Sequence, residues 1–156
     1  MITVFVWKFR GMDDAWGHTS MLVGRTYMSW WPAEPAPETP PPDVPFRSRT
    51  YRDDVRDESR DPDHTIEIDG LDERRVLDWW QTFGLVRGEG EFPGVLPPWE
   101  TLRQNCATAV ARGLRLGGGD TYATWWKSWN VVWTTADVLD YALSIRNGLA
   151  RRRSRR

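Results

Sequence analysis

Residues 17–32, GHTSMLVGRTYMSWWP, decide how the chain folds. Two six-residue runs, His18 to Val23 and Thr26 to Trp31, flank the pair Gly24-Arg25. A two-residue link that begins with glycine suits a type II′ turn, so the segment predicts a β-hairpin in which Val23 pairs with Thr26. In that register His18 lies opposite Trp31. The alternation of a pleated strand then puts Tyr27, Ser29 and Trp31 on the histidine's face, with Ser29 a diagonal neighbour of the imidazole.

Upstream, residues 2 to 9 are rich in Ile, Val, Phe and Trp, the pattern of a strand buried on both faces. Downstream, residues 32 to 45 are too dense in proline for a regular element. The stretch from Arg47 to Asp63 adds charges and almost no apolar side chains. Together, residues 32–63 read as a Pro-rich, charged insertion, mobile and lying across or beside the hairpin. A short strand is expected over Thr65–Ile68. A helix follows from an Asp72 N-cap to Phe83, with Val76, Trp80 and Phe83 at helical spacing. Residues 88 to 98 read as a second loop. Asn105 then reads as the N-cap of a helix with the stripe Ala107, Val110, Ala111 and Leu114, stopped at Gly117. A strand is expected over Val131–Trp133, and a last helix opens at Thr135 and buries Val138, Ala142, Ile145 and Leu149. The fold class is α+β, a small antiparallel sheet packed against helices, in one domain spanning residues 1–150.

Composition narrows the function classes. The chain has 156 residues and is 40% hydrophobic, enough for one core. The formal charge of −1 hides an asymmetry, since five of the 21 basic residues are Arg151, Arg152, Arg153, Arg155 and Arg156. Without them 16 basic residues face 22 acidic ones, a balance of −6. A body of that sign repels phosphate backbones, so no nucleic-acid partner is expected, and residues 151–156 read as a disordered basic tail. The opening residues place Lys8 and Arg10 behind the apolar run, the reverse of a secretory signal. No segment has the uninterrupted apolar length of a membrane span. The expected location is the cytoplasm of the producing cell, with delivery outside through a secretion system.

Eleven tryptophans, several in adjacent pairs, are either core or the lining of a groove for an acyl chain, sugar or peptide. The single cysteine excludes an internal disulfide and a multi-cysteine metal site, and no cofactor or metal is expected.

That cysteine, Cys106, falls in the first turn of its helix. Unpaired N–H groups and the positive end of the helix dipole favour the thiolate there, and the same N–H groups can hold an oxyanion. A nucleophilic thiol needs an imidazole to take and return its proton. Of the two histidines, His18 opens a strand directly after Gly17, whereas His64 sits among charges and reads as solvated. The orienting partner offered by the hairpin is Ser29, or less well the Tyr27 hydroxyl. Gln104 and Asn105 flank the nucleophile as polar oxyanion donors, although N-capping alone accounts for Asn105.

GHTSMLVGRTYMSWWP followed much later by QNCATAV resembles the circularly permuted papain-like fold, in which the histidine strand precedes the cysteine helix. That superfamily holds the NlpC-type amidases and peptidases, the lecithin retinol acyltransferase-like enzymes and papain-fold bacterial toxins and effectors. The resemblance covers about half the chain in two blocks. It implies His18 as the strand-opening histidine, Ser29 near the third polar position and Cys106 as the nucleophile. The acyltransferase branch carries a second histidine where Ser29 stands, so on this point the chain departs from it. The implied function is a cysteine-dependent hydrolase, a peptidase or amidase working through an acyl-enzyme, in a bacterial toxin or effector. The substrate would be a peptide, a protein or an acyl-bearing molecule, with a cognate inhibitor or a delivery partner alongside. The competing readings are an acyltransferase, transglutaminase or deamidase with the same dyad, and a non-catalytic, Trp-rich binding module.

Overall fold

The computed structural model describes residues 1–11, 17–31, 49–83, 86–87, 95–96, 105–124, 130 and 132–155. Its centre is a four-stranded sheet built from β1 (Ile2–Trp7), β2 (His18–Val23), β3 (Thr26–Ser29) and β4 (His64–Ile68), in the order β3-β2-β1-β4. All three pairings are antiparallel. The helices are α1 (Tyr51–Asp57), α2 (Glu73–Thr82), α3 (Cys106–Leu116) and α4 (Thr135–Arg153), with a 3₁₀ turn at Gly119–Thr121. Two-residue strands β5 (Val86–Arg87) and β6 (Val95–Leu96) pair in parallel. The α+β expectation holds. No helix among the described residues is long and apolar enough to cross a membrane.

The hairpin forms in the expected register, Val23 opposite Thr26 and Ser20 opposite Ser29. Gly24 has φ 58°, and Arg25 is not among the positive-φ residues, the combination of a type II′ turn. β1 carries Ile, Val, Phe and Trp because both faces of the sheet are covered. On one face Val4, Val6, Met21, Met28, Ile66 and Ile68 build the core under α3 and α4. Leu114, Val138, Ala142 and Ile145 complete it from the helices. On the other face Phe5, Trp7 and Tyr27 meet Tyr51 of α1, with ring centroids 5.0–6.3 Å apart.

Three expectations are corrected. The charged stretch is not without structure: Thr50 and Asp53 form a reciprocal capping box that starts α1, and the helix lies over the hairpin. Residues 32–48 of the expected insertion lie outside the described residues. The basic tail is not a disordered end: α4 runs through Arg153, because arginine is a good helix former, cations suit a helix C-terminus and Arg153 bonds Asp69. The strand expected at 131–133 is absent at its described positions. Trp133 instead packs on Tyr141, at 5.3 Å between ring centroids, and its carbonyl accepts from Asn105 Nδ2. Residue 131 itself is outside the described residues.

The β2–β3 ladder stops at Ser20–Ser29, and β3 is an edge strand. His18 and Thr19 therefore extend past their neighbour and leave one corner of the sheet open. At that corner α1 approaches from one face and the first turn of α3 from the other.

Gly148 in α4 tests the packing. A Cβ there would stand 1.9 Å from the Tyr122 carbonyl oxygen, which is backbone and cannot step aside. Helix propensity alone favours alanine by about 1 kcal/mol. The close approach outweighs that, so Gly148→Ala is expected to lower stability by about 2–3 kcal/mol in urea unfolding.

Candidate active site

Cys106 is the first residue of α3. Asn105 caps the helix, its Oδ1 accepting from Thr108 N at 2.9 Å. The cap serves the third N–H of the helix and leaves those of Cys106 and Ala107 without a described partner, as helix geometry requires at an N-terminus. His18 begins β2 at the open corner, and its ring lies between Trp31, with centroids 4.5 Å apart, and Trp7, at 5.7 Å.

Both residues are buried, Cys106 at 7% exposure and His18 at 2%. Nε2 of His18 lies 2.9 Å from Ser29 Oγ, the diagonal contact that the hairpin register predicts. It also lies 3.1 Å from Oδ2 of Asp54. Asp54 has no exposed surface, and it is held from every side. Tyr27 donates to Oδ2 at 2.7 Å, while Trp31 Nε1 and Arg49 Nε donate to Oδ1 at 2.8 and 3.1 Å. With Nε2 engaged by Asp54 and Ser29, Nδ1 is the ring nitrogen without a described hydrogen bond.

The electrostatics follow from this order of charges. Burial pushes the Asp54 carboxyl up, but the bonds and charge of His18 and the bond from Tyr27 outweigh it and hold the group well below the usual carboxylate range. Burial pushes the His18 imidazole down, and the charge on Cys106 together with the bond to Asp54 raises it to about 9. Burial likewise pushes the Cys106 thiol up. The His18 charge, its hydrogen bond, and the backbone and hydroxyl of Thr19 overcome that and draw it below the ordinary value. These directions all favour an alternating row of thiolate, imidazolium and carboxylate.

The structure thus brings Cys106, His18 and Ser29 together. Tyr27 also belongs to the cluster, but it bonds the carboxylate, and Ser20 at 2.5 Å, in place of the ring. The amide of Asn105 caps α3 through Oδ1 and donates from Nδ2 to the Trp133 carbonyl. Gln104 lies outside the described residues. Asp54 is the residue that sequence reading missed. Its one signal was the Thr50-x-x-Asp53 capping box, which marks a helix start and puts residue 54 in the first turn. The sulfur borders a closed gap in the packing with no room for a water molecule, and its walls are largely apolar: Met21, Met28, Trp30, Trp80 and Val110.

The expected sign of thiol reactivity is definite. A free cysteine ionises near pH 8.5. The cation at His18 stabilises the thiolate, so the pH midpoint of Cys106 alkylation by iodoacetamide should lie below that value. His18→Ala should raise it and slow alkylation at pH 6.5 by about tenfold or more. Equal midpoints would remove the ion pair.

A family model described as the IcsB middle domain matches residues 48–156 of this chain. The matched stretch includes Asp54 and Cys106 and begins after His18. No curated protein and no solved structure matches the chain.

Proposed function

The chain belongs to the family of the IcsB middle domain, a bacterial effector domain, and from that premise we propose that it is a cysteine-dependent hydrolase acting through an acyl-enzyme on Cys106. The single observation that carries this reading is the row Cys106, His18, Asp54: a nucleophile, a base and an orienting carboxylate, contributed by α3, β2 and α1. Structural cysteines are buried among apolar groups, which raise the thiol pKa. Here the charge of His18 and the backbone and hydroxyl of Thr19 act in the opposite direction, as does the helix N-terminus on which the sulfur sits.

The thiolate of Cys106 attacks a carbonyl carbon, and the π electron pair moves to the oxygen. His18, carrying its proton on Nδ1, gives it to the departing amine or alkoxide as the tetrahedral centre collapses to the acyl-enzyme. Neutral His18 then takes a proton from water. The hydroxide oxygen bonds the acyl carbon, and collapse releases the acid and restores the thiolate and imidazolium. Asp54 fixes the ring's orientation and stabilises its charge throughout, with Ser29 as a second bond on the same nitrogen. The acid limb of activity follows ionisation of the thiol, and the alkaline limb falls as His18 loses its proton near pH 9.

The order of parts, a histidine strand before a cysteine helix packed on an antiparallel sheet, supports the permuted papain-like assignment. A host protein or peptide is the substrate class that suits an effector, with a secretion partner delivering the domain.

Labelling with electrophilic warheads of the amide and ester types, followed by mass spectrometry, tests the reading. The expected adduct is on Cys106 and is lost in Cys106→Ala. His18→Ala should slow labelling about 100-fold or more, and Asp54→Asn about 10- to 100-fold, with the fold retained. Labelling of His18→Ala at the wild-type rate would end the proposal.

A further inference from the structure

Asn105, flanking the nucleophile, spends its amide on the helix cap and the Trp133 carbonyl. A second polar group close to the sulfur lies on the neighbouring strand. Thr19 follows His18 in β2 and is completely buried, and its Oγ1 has no hydrogen-bond partner among the described residues. Burying a hydroxyl without a partner costs stability, and such groups are rare in folded chains unless something else uses them. This one lines the gap with Cys106, at the corner where β3 has ended.

We propose that the Thr19 hydroxyl is a catalytic hydrogen-bond donor that, together with the N–H of Cys106, receives the negative charge developing on the carbonyl oxygen when Cys106 is acylated. The proposal rests on the nucleophile reading above. Before attack, the hydroxyl and backbone of Thr19 lean toward the sulfur and favour its anion. As the S–C bond forms, charge leaves the sulfur for the oxygen. A hydroxyl with no other partner can turn to follow it, without giving up its proton. A threonine whose hydroxyl was tied into the sheet could not.

The test compares two reactions of the full chain. Acetylation by p-nitrophenyl acetate passes through a tetrahedral oxyanion: sulfur bonds the carbonyl carbon, then p-nitrophenolate leaves with the electron pair of its C–O bond. Alkylation by iodoacetamide displaces iodide directly and forms no oxyanion. Plateau rates, taken above the ionisation midpoint of the thiol in each variant, remove any small shift in that midpoint. Thr19→Val keeps the side chain's shape without the hydroxyl. It should slow acetylation by about 10- to 100-fold while alkylation changes by less than about twofold. Thr19→Ser should recover most of the acetylation rate. Because no nitrogen or oxygen among the described residues pairs with the deleted hydroxyl, Thr19→Val should unfold at about the same denaturant concentration as wild type.

An equal loss in both reactions, or no loss in either, would overturn the role of Thr19 while leaving Cys106 as the nucleophile. Wild-type chain that is alkylated only as an ordinary thiol and never acetylated would overturn the nucleophile reading, and this proposal with it.

Discussion

The structure depends on one buried charge. Asp54 is shielded from water completely, and an unpaired carboxylate in such a place costs several kcal/mol. It is stable there because its donors come from four positions: His18 on β2, Tyr27 on β3, Trp31 just beyond the hairpin, and Arg49 just before α1. The same bonds fasten α1 to the hairpin and orient the imidazole. Fold and site are therefore not separable on this face of the sheet. An acidic helix with little apolar surface is held by its polar side, helped by Tyr51 against Phe5, Trp7 and Tyr27.

The second constraint is the short edge strand. β3 ends at Ser29, so β2 projects His18 and Thr19 past the last ladder pair. Strand alternation points these neighbours to opposite faces, His18 toward α1 and Thr19 toward α3. The open corner lets the two layers meet: the carboxylate reaches the ring from one side and the sulfur from the other. The positive end of α3 and the guanidinium of Arg49 lie at opposite ends of the charge row. Alternation of sign along that row favours the ionised forms in a buried setting.

Much of this was legible in the residues, and the parts that were not share a physical cause. Gly24-Arg25 specifies the turn, the turn specifies the register, and the register puts Ser29 beside His18. Asn105, the apolar stripe and Gly117 locate α3, and hence Cys106 in its first turn. The contribution of α1 was hidden because a run of charges is ordinarily a solvated face, and no apolar periodicity marks the helix. Only its capping box is visible locally, and the partners that bury Asp54 are distant in sequence. Trp133 was misread for a related reason. Val-Val-Trp has strand composition, but the contacts of Trp133 with Asn105 and Tyr141 decide how that residue is placed. The arginines at the end of α4 show that a charge run can also extend a helix that is already anchored.

The central claim is that His18 is a buried imidazolium held between sulfur and carboxylate. NMR titration of the histidine ring resonances tests it most directly, and with two histidines in the chain His64→Gln gives the assignment. The His18 ring should remain protonated on both nitrogens through neutral pH and lose its proton near pH 9, and that midpoint should fall in Cys106→Ala. A His18 that titrates at the ordinary value of about 6.5, unaffected by removal of the thiol, would contradict it.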